Sequence, residues 1–127
     1  MSSAAPTPEN FPHVARAKSD REIDVFELNE RVGKGEKLFV IDVREPHEFE
    51  IARLDFSKEL PMSRFESGWT DVLNGRQGDE VIVMCRSGGR SANIQSFLIS
   101  QGFSNTRNLV GGILAWAEAI DRTMQQY

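Results

Sequence analysis

Three short runs set the strongest limit on what this chain can fold into. They are LFVIDV (38–43), a continuously apolar run, VIVM (81–84), and TRNLV (106–110). The first two have the pattern of a strand covered on both faces, and TRNLV fits a third buried strand. Between them lie stretches with helical spacing. Val25, Leu28 and Val32 share one face, with Asp24 and Glu27 placed as an N-cap and its partner and Gly33 as the stop. Pro46 suits the first turn of a short helix carrying Phe49 and Ile51. Residues 62–74 form another helical stretch, ending near Asn74-Gly75. A helix from Ser91 turns Ile94, Phe97 and Leu98 inward and stops at Gly102. Gly111-Gly112 then leads into a last helix burying Ile113, Trp116 and Ile120, and Ile23 ends a further short strand. Strands alternating with helices in this way predict an α/β fold, a mostly parallel sheet with helices on both faces.

At 127 residues the chain is sized for one domain. Residues 1–20, rich in Pro, Ser and Ala without periodicity, read as a flexible arm, and 21–127 as the domain. A hydrophobic fraction of 39% with 27% charged residues argues against disorder. The net charge of −4 argues against a nucleic-acid partner. No apolar run reaches membrane-spanning length, and the first twenty residues lack the apolar centre of a signal peptide. The single cysteine forms no internal disulfide, and a reactive thiol survives best in a reducing compartment, which points to the cytoplasm. The two histidines, His13 and His47, have no metal-ligand spacing, so neither metal nor cofactor is expected. His47 reads as an exposed helix residue.

That cysteine, Cys85, stands where VIVM stops, and in parallel α/β folds ligands bind beyond the carboxyl ends of the strands. The loop after it reads Cys85-Arg86-Ser87-Gly88-Gly89-Arg90-Ser91. The two glycines permit a turn in which successive N–H groups face inward, and the following helix adds its positive end. Arg86 and Arg90 add two permanent charges. Such surroundings lower a cysteine's pKa and make it a nucleophile. Taken alone, a lone cysteine is usually a small buried hydrophobe, and the two arginines could be solvated surface charges. Asp42 and Arg44 read as a structural tie between loops, and Trp116 and Phe97 as core. Trp69 fits core or surface equally well.

The loop resembles the active-site loop of the rhodanese-type sulfurtransferases, many of which read C-R-S-G-x-R-S. IDVREPHEFE (41–50) is similar to the family's D-V-R-x-x-x-E-[YF] stretch, and NLVGGILAW (108–116) to its G-G-x-x-x-W segment. The three occur in family order over roughly residues 20–120. The resemblance implies a five-stranded, mainly parallel sheet flanked by helices. It further implies transfer of a sulfane sulfur, through a persulfide on Cys85, from thiosulfate or a similar small anionic donor. The acceptor would be thiophilic: cyanide in an assay, or a sulfur-accepting protein. By position, the backbone N–H groups of Arg86 through Ser91 would cradle the persulfide, and Arg86 and Arg90 would meet the donor's anionic end.

Where family members often read G-H-I-P-G-A, this chain has Ala52-Arg53-Leu54-Asp55-Phe56-Ser57, which leaves Arg53 a candidate for the mouth of the site. Two other readings stand beside sulfur transfer. One is a catalytically silent module of the same family that binds a partner protein. The other is a phosphatase or arsenate reductase, because cell-cycle phosphatases share the fold. Those enzymes place five residues between Cys and Arg, whereas four separate Cys85 from Arg90. The smaller ring suits one extra sulfur better than a tetrahedral phosphate.

Overall fold

The computed structural model of the chain describes residues 5–127. Its sheet is built from β1 (Glu22–Ile23), β2 (Val40–Asp42), β3 (Ser57–Glu59), β4 (Val81–Met84) and β5 (Thr106–Leu109), in the order β1-β5-β4-β2-β3. All four strand pairings are parallel, in the register Val40 with Ile82 and Val83 with Asn108. The helices are α1 (Val25–Gly33), α2 (Pro46–Ile51), α3 (Phe65–Leu73), α4 (Gly89–Ser100) and α5 (Gly112–Ala119). Short 3-10 turns occupy Pro8–Asn10 and Met62–Arg64.

The three runs become the central strands β2, β4 and β5, and their side chains divide by the two-residue period of a strand. Ile82 and Met84 of β4 join a core with Val40, Leu109, Leu28, Ile113 and Trp116, on the side of α1 and α5. Val81 and Val83 join the opposite core with Ile41, Val43, Phe65, Leu73, Ile94 and Leu98, under α3 and α4. Cys85 continues the second set. The pleat of β4 therefore turns its side chain toward α4.

One strand had no sequence signal, and three expectations need amendment. β3 carries Lys58 and Glu59, both exposed, and gives no apolar run to read; charge on an outer strand discourages pairing with other chains. Helix α4 begins at Gly89, with Gly88 in the left-handed conformation (φ 111°) as its cap, so the turn takes one glycine and the helix the other. Phe97 is 38% exposed, lying edge-on to Phe65 and half-buried Trp69 at the rim of the second core. The expected arm is not wholly apart from the domain. Val14 is buried in the first core, and Arg16 bonds Asp24 at 3.0 Å. Residues 1–4 of that arm lie outside the described residues. The α1 start is as expected, since Asp24 Oδ1 accepts from the Glu27 N–H at 3.0 Å.

Asp24 also accepts through Oδ2 from the backbone N–H of Ala17 and the side chain of Arg16. Burial pushes its carboxyl upward, yet these hydrogen bonds and the Arg16 charge leave it below the usual carboxylate value. Asp24→Ala should therefore cost about 1–2 kcal/mol, as measured by chemical denaturation at neutral pH. The cost should shrink as pH falls through the carboxylate range, because the aspartate contribution is present only while it is ionised. An equal cost at pH 7 and in acid would refute this account of the cap.

Candidate active site

Cys85 is the first residue beyond β4 and is 1% exposed. Its Sγ accepts from the Gly88 N–H at 3.1 Å and from the Ser91 N–H at 3.5 Å, and the Ser91 hydroxyl lies 3.3 Å away. Burial pushes the thiol up. The Ser91 hydroxyl and the N–H groups of Ser91, Gly88 and Ser87 outweigh it, holding Cys85 below the ordinary thiol value. Ser87 and Gly89 are exposed at the outside of the turn, while Ser91 is fully buried beneath it.

The loop holds this shape because the next helix grips it from behind. The N–H groups of Ile113 and Leu114, in the first turn of α5, donate to the carbonyls of Cys85 (3.0 Å) and Arg86 (3.1 Å). With those carbonyls drawn toward α5, the N–H groups further along the loop are left facing sulfur. The approach needs a residue without a side chain. A Cβ on Gly112 would lie 2.4 Å from the Arg86 oxygen and 2.5 Å from the Cys85 oxygen. The Gly111-Gly112 pair, read in the sequence as a turn and as the G-G of the G-G-x-x-x-W segment, thus lies against the loop backbone.

Arg90 and Arg86 both lie beside the loop, and both have partners. Arg90 forms a two-pronged ion pair with buried Glu48 of α2, at 2.6 and 2.8 Å. Glu48 also accepts from the Glu45 N–H and the Tyr127 hydroxyl. The hydrogen bond from Arg90 is the chief reason its carboxyl is lowered to about 2, against the opposing effect of burial. Arg86 donates through Nε (2.8 Å) and Nη2 to the Tyr127 carbonyl and lies over that ring, 5.0 Å from its centroid. Sequence reasoning missed Glu48 and Tyr127. Nothing local marks a partner 42 residues upstream of Arg90 or 41 downstream of Arg86.

Asp42 and Arg44 form the expected tie, each with a fully buried side chain, 2.8 Å apart. Arg44 further donates to the carbonyls of Glu48 and Ala52 and to the Tyr127 hydroxyl, fixing both ends of α2 and the last residue. Arg53 is not brought to the loop: it donates to the Phe49 carbonyl and pairs with Glu59 at 3.2 Å. His47 is exposed. Among the described residues no cluster of His, Cys, Asp and Glu could hold a metal ion, and no helix is long and apolar enough to cross a membrane. A cavity of about 780 Å³ between the N-terminal segment and α1 includes no residue of the Cys85 loop.

A parallel α/β domain carrying a buried cysteine in a ring of N–H donors at its strand ends is built for covalent chemistry on sulfur or an anion. Comparison with known proteins narrows the class: residues 24–119 match the model of the Rhodanese-like domain, and the chain belongs to that family. A curated protein named Sulfurtransferase, from Allochromatium vinosum, is 33% identical over 96 residues, covering 76% of this chain and 87% of its own. Rhodanese-like/PpiC domain-containing protein 12, chloroplastic, of Arabidopsis thaliana is 33% identical over 91% of this chain, which spans only 41% of that longer relative. Among solved structures, a rhodanese-related protein of Thermoplasma volcanium superposes with a TM-score of 0.66. It is 32% identical, with 77% of this chain and 91% of that one covered.

The Glu48–Arg90 pair makes a prediction for acid. The folded-state carboxyl, at about 2, lies below its ordinary value of 4.5. Its stabilisation is complete above about 4.5 and is lost as pH falls toward about 2. Glu48→Gln should lower the unfolding temperature at neutral pH and flatten its fall across that acid window. The measurement is thermal unfolding against pH, and an unchanged acid limb would show that the pair does not carry stability.

Proposed function

We propose that the protein is a sulfurtransferase that carries a sulfane sulfur as a persulfide on Cys85. The observation that carries this reading is the set of N–H groups from Gly88 and Ser91 directed at a sulfur at the end of β4. In the first half-reaction the Cys85 thiolate attacks the outer sulfur of a donor such as thiosulfate. The new S–S bond forms as the donor's own breaks, and the bonding pair departs with sulfite. The persulfide's negative charge then rests on its terminal sulfur, where loop N–H groups can receive it. In the second, a thiophile such as cyanide attacks that terminal sulfur, leaves as thiocyanate and restores the thiolate. Two half-reactions through one covalent intermediate require ping-pong kinetics. The A. vinosum relative supports the reaction class. A small anionic donor, a thiophilic acceptor or sulfur-accepting protein, and a reducing compartment such as the cytoplasm complete the reading.

The paired arginines refine the donor contact. Arg90 already satisfies Glu48, so its fork is not free for a sulfonate. Arg86 is held by the main-chain oxygen and ring of Tyr127 and not by a buried carboxylate side chain, which leaves it the better placed of the two to turn to an oxyanion. Arg86 is therefore the cation we assign to the donor, with Ser87, Gly88, Gly89 and Ser91 lining the ring and Arg90 buttressing it.

Because Cys85 is the only thiol, the intermediate can be weighed directly. Thiosulfate should add one sulfur atom per chain, cyanide should remove it with release of thiocyanate, and Cys85→Ser should abolish both. A folded Cys85→Ser protein still forming thiocyanate at the wild-type rate would sink the mechanism. A second measurement tests ring size. With four residues between Cys85 and Arg90, aryl phosphate hydrolysis should be negligible beside sulfur transfer. Efficient phosphate hydrolysis would put the phosphatase reading first.

A further inference from the structure

Among the described residues Asn108 is the one amide side chain buried in the sheet, 6% exposed on β5, where the neighbouring strand residues are packed into the domain. A polar group so placed must be satisfied, and both of its ends reach the Cys85 loop. Its Nδ2 donates to the carbonyl of Gly88 at 3.2 Å, and its Oδ1 lies 2.5 Å from the Ser91 hydroxyl oxygen. The amide's orientation follows from its partners. The Gly88 carbonyl can only accept, so the amide nitrogen faces it and Oδ1 faces Ser91.

Ser91 has one hydroxyl hydrogen and two acceptors within reach, Asn108 Oδ1 at 2.5 Å and Cys85 Sγ at 3.3 Å. We propose that Asn108 is a positioning residue that sets the ionisation of Cys85 through Ser91, by competing with the sulfur for this single hydrogen. While Cys85 is a thiol, the hydroxyl donates to Asn108, and its oxygen accepts from the S–H group. When the thiol loses its proton to water, the hydroxyl turns to the sulfur and leaves Oδ1 without its donor. No proton leaves Ser91; its O–H only rotates. Asn108 thus opposes the thiolate that the loop N–H groups favour. In the persulfide the charge lies one atom further out, Sγ is no longer anionic, and the hydroxyl returns to Asn108. The catalytic meaning of this device rests on the sulfur-transfer reading above: it favours the sulfur-loaded state over the bare thiolate.

The other ionisable groups around the loop are Arg86 and Arg90, Glu48 of α2, the Asp42–Arg44 pair at the end of β2, and the Tyr127 phenol. None is changed in the variants that test the idea. Thiolate absorbance against pH, taken as the difference from Cys85→Ser in the same background so that the Tyr127 phenol cancels, reads Cys85 and needs no sulfur donor, so it is independent of whether sulfur transfer occurs. Asn108→Leu, close in size but without an acceptor, should move the titration to lower pH, giving about threefold or more additional thiolate below the midpoint. The same substitution in a Ser91→Ala background should have no effect, because the hydrogen that carries the coupling is gone. A shift of equal size in both backgrounds would mean that Asn108 acts by holding Gly88, and would overturn the proposal, as would no shift or a rise. If Asn108→Leu fails to fold, Ser91→Ala alone decides. Its thiolate fraction should stay within about threefold of wild type, since the hydroxyl's gain at sulfur is offset by its loss at Asn108. A larger fall would show that the sulfur holds the hydrogen without competition.

Discussion

The N–H groups of Ile113 and Leu114 hold the carbonyls of Cys85 and Arg86, and the geometry of the loop depends on that grip. A peptide unit carries its donor and acceptor on opposite sides, so drawing carbonyls toward α5 turns the following N–H groups toward the sulfur. Gly112 makes the grip possible, because any Cβ there would lie inside the contact distance of the loop backbone. The same grip ties β4 to α5 across β5, so Cys85 is positioned by the sheet and by the helix that follows its neighbour. Helix α5 holds the loop at its first two residues, and Asn108 of β5 holds it again at Gly88 and Ser91.

Charge at the site is arranged in the same manner, with each cation supported by something already in the fold. Arg44 reaches Asp42, the carbonyls of Glu48 and Ala52, and Tyr127, and so fixes α2 over the strand ends. Once α2 is fixed, Glu48 holds Arg90 in one rotamer beside the loop. The pair is part-buried, with Glu48 inside and Arg90 35% exposed, and it holds the two side chains in one arrangement. Here it leaves Arg90's charge near Cys85 while using its hydrogen-bonding fork elsewhere.

What could be read beforehand follows from how local each signal is. The central strands were legible because two-sided burial makes a strand uniformly apolar, as in VIVM, and the α1 cap because Asp24 and Glu27 are three residues apart. Cys85 was legible because its loop is one continuous segment. β3 was not, since an outer strand of Ser, Lys and Glu obtains its structure from pairing with β2 rather than from its own pattern. Phe97 has core spacing on α4 yet sits at the rim, because periodicity gives a face and not how far the opposing layer extends. Glu48, Tyr127 and Asn108 reach the loop only through tertiary contacts. Of these, Glu48 and Asn108 lie within the stretches IDVREPHEFE and NLVGGILAW, but neither stretch shows by itself which loop group the side chain meets.

Burial of Cys85 has a consequence for what it can react with. At 1% exposure Cys85 offers little of its surface, and a reagent must present one protruding atom along the line of the sulfur. On the reading proposed above, loading changes this. A disulfide-type bond extends the side chain by about 2 Å, so a loaded Cys85 would hold its reactive atom one bond beyond Sγ. The atom that an acceptor must reach is then no longer the buried Sγ itself. A bulky acceptor, a protein thiol included, could reach the sulfur only after it had been loaded, which separates the two half-reactions by access as well as by chemistry. The hydrogen shared between Ser91 and Asn108 works in the same direction, since it is available to Asn108 once the charge has moved outward.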